Sequence, residues 1–158
     1  MHRFSHNHVS LRAALEELAM VNAELQIGLS RAGELWPDGP SRQLLNKLAS
    51  QHARLESDLR EFLPKHGVSP ANERKSVPRS ILDFSHLRQL DEPFLLRAIE
   101  RAEQYVLGKY QAATSRLSSQ VSGVAQEEMV AASALLRRHS ATVRVTQIRL
   151  ELDRVSRS

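Results

Sequence analysis

Cysteine is absent from this sequence, and aromatic, glycine and proline residues are few. Without cysteine the chain forms no disulfide, offers no thiolate nucleophile and builds no cysteine-based zinc site. Apolar residues nevertheless make up 41% of the 158 residues, with aromatics only 4%. A chain of this length can bury a sizeable core as one domain, and this composition favours long packed helices over a β-rich fold.

Long uninterrupted apolar runs are also missing. Acidic residues interrupt positions 1–30 at Glu16, Glu17 and Glu24, so no stretch there has the length of a signal-peptide core or a membrane span. We therefore expect a non-exported, cytoplasmic protein that contacts no membrane.

The charges carry no long block of one sign. The net charge is +4, with 18 arginines and 4 lysines, but basic and acidic residues alternate along the chain, and the local basic doublets are short. No basic stripe with interleaved aromatic residues exists, so the pattern favours a solvated mixed surface over a nucleic-acid interface. A basic, nucleic-acid-associated protein stays a third hypothesis.

Apolar residues recur three and four positions apart in four segments, which predicts four helices. The predicted helices span 7–36, 40–65, 93–120 and 123–155. The first and second are separated by Pro37-Asp38-Gly39-Pro40, and the third and fourth by Ser122-Gly123. Connections this short make sequential helices antiparallel neighbours.

The middle connection, 66–92, is much longer and includes a predicted short helix at 80–90. A helix of about 25 residues is about 37 Å long, so a linker of this length can return along the whole bundle. We therefore predict a single all-α domain over 1–158: a ferritin-like antiparallel four-helix bundle with a long crossover between its second and third helices.

Each apolar row is interrupted near its middle by a polar residue that still points into the core. The interruptions are Asn22, His52, Glu103 and His139, and Tyr110 follows Glu103 by one heptad on the same face. Glu103 and His139 lie equally far from the turn near Val121, and Asn22 and His52 lie almost equally far from the turn near Asp38. If the second and third helices run parallel, His52 and Glu103 also have similar heights, which places all four interruptions in one buried layer.

Two chemical solutions make such a layer tolerable, because buried ionisable groups must be paired or ligated. In the first, Glu103 and His139 form an ion pair within a structural network. In the second, His52, Glu103 and His139 hold Fe, Mn or Zn. A dinuclear carboxylate site in such a bundle requires a Glu-x-x-His motif on each of two helices. The residues three before His52 and His139 are Ala49 and Leu136, so both motifs lack their glutamate. The network is therefore favoured, and a single-metal site stays the alternative.

A set of residues in the third and fourth helices, together with the end of the second, matches a known pattern. These residues are Glu100-Arg101-Ala102-Glu103, Tyr110, Arg138-His139, Val143-Arg144 and the segment from Leu59 to Gly67. Over roughly residues 40–150 the chain resembles a bacterial ferritin-like family known as a domain of unknown function. The resemblance implies a ferritin-like bundle, and the activity of that family is not established.

No phosphate-binding loop, nucleophile elbow or His-Glu-x-x-His helix is evident. We expect a non-catalytic binding or stress-associated structural protein without a cofactor; a metal-dependent redox protein is the alternative. The apolar face of the last helix widens to Val145, Ile148 and Leu152. That widening predicts either a homo-oligomer or a helix end covered by the crossover.

Overall fold

The computed structural model describes residues 3–65, 92–119 and 125–157. These residues form four α-helices and no strand, which confirms the all-helical prediction. The helix ends differ from the predicted ones by at most four residues. The predicted crossover up to residue 91, with its short helix at 80–90, lies outside the described residues. The helices are α1 (Arg3–Leu35), α2 (Pro40–Lys65), α3 (Glu92–Ser119) and α4 (Gln126–Arg157).

The turn between α1 and α2 follows from its proline and glycine residues. Gly39 has a φ of 150°, a conformation that side chains with a Cβ rarely adopt. Pro40 then occupies the first position of α2, where no backbone N–H is needed. The N–H of Gln43 donates to the Gly39 carbonyl at 3.1 Å, and Arg42 pairs with Asp38 at 2.8 Å. Helix α2 therefore begins where the sequence predicts.

One hydrophobic core runs through the described helices. The most extensive contacts join α1 to α2 and α3 to α4, and α1 also packs on α3. Trp36 and Met129 are partly buried against the same core. This packing is compatible with a bundle. The buried residues of the predicted apolar rows are Leu11, Leu15, Leu18, Leu25, Leu29, Ala32, Leu45, Leu48, Leu55, Leu59, Phe62, Leu96, Ile99, Val106, Tyr110, Ala113, Leu117, Ala132, Leu136, Val143 and Leu150.

The end of α4 carries a cluster of apolar residues that face outward, in addition to those that face the core. Val145, Ile148, Leu152 and Val155 are between 48% and 63% exposed. Within the described ranges, no helix is both long and apolar enough to cross a bilayer.

Candidate functional site

Five polar side chains meet in the middle of the described bundle, and none is more than 3% exposed. Together with one surface carboxylate they form a continuous hydrogen-bonded line, here called the polar network. Its members, in bonding order, are Glu103, His52, Asn22, Tyr110, His139 and Asp58.

The amide group of Asn22 sets the direction of the hydrogen bonds on either side of it in the polar network. Its Nδ2 lies 2.8 Å from the Leu18 carbonyl oxygen and 2.9 Å from Tyr110 Oη. A carbonyl oxygen can only accept, so the amide nitrogen must face Leu18 and the amide oxygen must face His52. His52 Nδ1 lies 2.8 Å from that oxygen and therefore carries a proton, which it donates.

His52 and Glu103 share a second proton. His52 Nε2 lies 2.8 Å from Glu103 Oε1, and both side chains are fully buried. Since Nδ1 is already protonated, the contact requires either an imidazolium donating to a carboxylate or a carboxylic acid donating to a neutral imidazole. In both cases the pair is neutral overall. The other carboxyl oxygen, Glu103 Oε2, is buried and has no hydrogen-bond partner among the described residues.

The hydroxyl group of Tyr110 accepts from Asn22 and donates to His139. Tyr110 Oη accepts from Asn22, so its own proton points to His139 Nδ1, 2.8 Å away. His139 is therefore a neutral imidazole whose Nε2–H donates to Asp58 Oδ2 at 3.1 Å. Because the Asp58 side chain is 54% exposed, this end of the polar network reaches the surface.

The electrostatics agree with these bond directions. Burial lowers the pKa of His139, while Asp58 opposes that shift and Arg138 adds to it. Burial also raises the pKa of Tyr110. Both shifts favour the neutral side chains that the hydrogen bonds require.

Acidification is expected to destabilise the fold through His139. Its folded pKa lies below the ordinary value of 6.5, so the unfolded chain takes up the proton first as the pH falls. The free energy of unfolding then decreases below pH 6.5, by at most about 1.4 kcal/mol per pH unit from this residue. Urea unfolding measures the slope of the unfolding free energy against pH. A range of about pH 5 to 8 spans the ordinary histidine pKa.

His139→Gln is the matched control for this titration. Glutamine keeps one acceptor for Tyr110 and one donor for Asp58 but does not titrate. The variant is expected to show a flatter pH dependence than the parent. An identical slope in the two proteins would show that His139 does not carry the effect.

The expected pairing between Glu103 and His139 is wrong. Glu103 pairs with His52, and His139 bonds to Tyr110, which comes seven residues after Glu103 in α3. The height of α4 depends on where the helix begins and on how its side chains interlock with α3. It cannot be read from the midpoint of an assumed turn.

Sequence reasoning also missed Asp58. The residue lies beside the buried Leu59 and is exposed, so it does not interrupt an apolar row. A signal appears only once α2 is aligned with α4. Gln51 bonds to Thr146 and Asp58 bonds to His139, so the residue numbers in both pairs have the same sum. An equal sum is what two oppositely directed helices give, and it places Asp58 opposite His139.

The predicted metal ligands are not brought together as a set. His52 and Glu103 touch, whereas His139 lies beyond Asn22 and Tyr110 in the bonding order. The four imidazole nitrogens of His52 and His139 already have hydrogen-bond partners. In the part of the chain that the structure describes, no group of three or more His, Asp or Glu residues is placed to hold a metal ion. These side chains do not fit a metal ion in this arrangement.

The chain matches no protein-family model, no curated protein and no solved structure. Its function must be inferred from the polar network and from the surface of α4.

Proposed function

We propose that this chain is a ferritin-like four-helix bundle that acts without catalysis, as a homo-oligomeric binding or stress-associated structural protein. The observation that carries the proposal is the bonding of the polar network. Its histidine, tyrosine and asparagine groups use their donors and acceptors on one another. Such a network specifies how helices pair, and it leaves no imidazole nitrogen available for a substrate.

Contacts along the helices support the ferritin-like order of short, long and short connections. Between α2 and α3, Ser41 bonds to Glu92 at 2.6 Å and His52 bonds to Glu103 at 2.8 Å. Both pairs are separated by 51 residues. An equal separation at two heights supports a parallel arrangement of these two helices, which is the arrangement that a long crossover produces.

The remaining pairs support antiparallel neighbours. Between α3 and α4, Tyr110 bonds to His139 while Glu100, further back in α3, pairs with Arg154, further along α4. Between α1 and α2, Asn22 bonds to His52, and the backbone of Gly33 approaches Asn46. In each of these two pairs of helices, contacts further along one helix are made further back along the other.

The polar network gives this bundle a specific register. Moving α2 by one turn against α1 or α3 would separate His52 from both Asn22 and Glu103. Each lost partner would leave a buried polar group unpaired, at a cost of about 1–3 kcal/mol. A leucine-only core would tolerate the same slip with a smaller loss.

Metal analysis tests the non-catalytic proposal against the redox alternative. Protein purified without a histidine tag is expected to contain less than about a tenth of an equivalent of Fe, Mn or Zn, before and after reconstitution, because a ligated metal would compete with the hydrogen bonds of both histidines. Plasma mass spectrometry supplies the measurement. About one equivalent in the parent, lost in Glu103→Gln, would overturn the proposal.

A further inference from the structure

Four exposed apolar residues near the end of α4 form a straight seam. Val145, Ile148, Leu152 and Val155 follow one another at spacings of three, four and three residues, and each is about half exposed. This is the spacing of the a and d positions of a heptad repeat. The α4 seam, as we call these four residues, lies away from Val143 and Leu150, which are buried in the chain's own core.

We propose that the α4 seam packs on the same outward face of α4 in a second copy of this chain, in an antiparallel arrangement related by a two-fold axis. This inference rests on the homo-oligomer in the proposed function. Two copies of one face make a closed, self-complementary contact, which is the commonest symmetry of soluble oligomers. A seam of branched apolar side chains supplies the knobs-into-holes packing of such a helix pair.

The charges beside the α4 seam select the antiparallel direction. With Val145 as position a, the exposed residues Arg144 and Glu151 occupy g positions and Arg149 occupies an e position. Parallel helices bring a g residue to the following e residue of the partner, which would place Arg144 beside Arg149 of the second copy. Antiparallel helices bring g residues to g residues. Arg144 can then meet Glu151 of the second copy, and the two-fold axis repeats this attractive pair.

The same charges also select the register. When Val145 faces Ile148 of the second copy, Leu152 faces the small, exposed Ala141, and both Arg144–Glu151 pairs form. Val155 then lies opposite the exposed Arg138, whose aliphatic stem can cover it. Sliding the helices by one heptad, so that Val145 faces Val155, would instead oppose Glu151 to Glu151 and Arg149 to Arg149. Like charges at these positions disfavour that alternative.

Light scattering on the full chain tests the association. The parent is expected to have twice the monomer mass of 17.8 kDa, and Leu152→Glu to weaken the dimer about 100-fold by forcing a charge into the seam. Val130→Glu is the matched control, because Val130 lies on the same helix, is 60% exposed and falls outside the seam. A monomeric parent at all concentrations, as expected if residues 66–91 cover the seam, would overturn the inference.

Charge reversal tests the direction and register. Arg144→Glu is expected to weaken the dimer about tenfold, and the double variant with Glu151→Arg to restore it. Arg149→Glu is expected to leave affinity unchanged, since Arg149 then faces the neutral Thr142. A tighter dimer with Arg144→Glu would indicate the parallel arrangement and overturn the proposal.

Disulfide trapping gives a second readout, because the chain has no cysteine of its own. Mixing Val145→Cys protein with Ile148→Cys protein is expected to give mainly the mixed disulfide. Predominant self-disulfides would overturn the register. A failure here leaves the polar network untouched, since that network is tested by the unfolding of core variants and by metal content.

Discussion

Glu103→Leu is expected to lower the free energy of unfolding by about 3–5 kcal/mol, because removing one member of a buried pair leaves the other unpaired. The change deprives His52 Nε2 of its hydrogen-bond partner, 2.8 Å away in the parent. It also removes the buried, unpartnered oxygen Oε2, which recovers part of the loss. Urea unfolding followed by circular dichroism measures the difference.

Glu103→Gln separates the hydrogen bond from the charge. The amide nitrogen of glutamine can donate to a neutral His52, so we expect this variant to lose less than about 1.5 kcal/mol. Glu100→Gln is the control for the loss of a carboxylate outside the polar network. Glu100 is 14% exposed and pairs with the 43% exposed Arg154 at 3.1 Å, and glutamine keeps an oxygen that accepts from this arginine, so we expect stability to change by about 1 kcal/mol or less. Equal losses in Glu103→Leu and Glu103→Gln would show that the bond to His52 does not matter.

Tyr110→Phe is expected to cost about 2–4 kcal/mol through the loss of a single oxygen atom, since it strips two buried groups of a partner. Tyr110 Oη both accepts from Asn22 Nδ2 and donates to His139 Nδ1. Phenylalanine leaves the ring in place, so the loss reports on hydrogen bonding rather than on packing. Thermal and urea unfolding both provide the measurement.

Tyr105→Phe is the matched control for Tyr110→Phe. Tyr105 lies on the same helix, is only partly buried, and its ring is 5.6 Å from the ammonium of Lys109. Phenylalanine preserves that ring, so a change within about 0.5 kcal/mol is expected. If the two variants lose the same amount, the position of Tyr110 in the polar network has no energetic significance.

The four helices and most of the buried positions could be predicted from the sequence. Apolar spacing of three and four residues is a local property, and it identified the inward faces of α1 to α3 and most of α4. The same spacing selected Asn22, His52, Glu103 and His139, because a polar residue in an apolar row is visible without knowing its partners. The structure buries all four.

The choice of partners within the bundle could not be predicted in this way. A shift of α4 against α3 by seven residues leaves every apolar row facing inward, yet it moves His139 from Glu103 to Tyr110. Asp58 was missed for the related reason that an exposed residue leaves no gap in a periodic pattern.

The sequence by itself determined most of the side chains that are buried, because helix periodicity and composition decide which face leaves water. Only the tertiary structure decided which of those side chains bond to one another. Bonding partners depend on the relative heights of helices that are distant in sequence, and those heights come from side-chain packing across all the interfaces at once. For this reason the sequence indicated a polar layer, whereas the structure resolves it into a hydrogen-bonded line from Glu103 to Asp58, in which each bond from His52 onward has one direction.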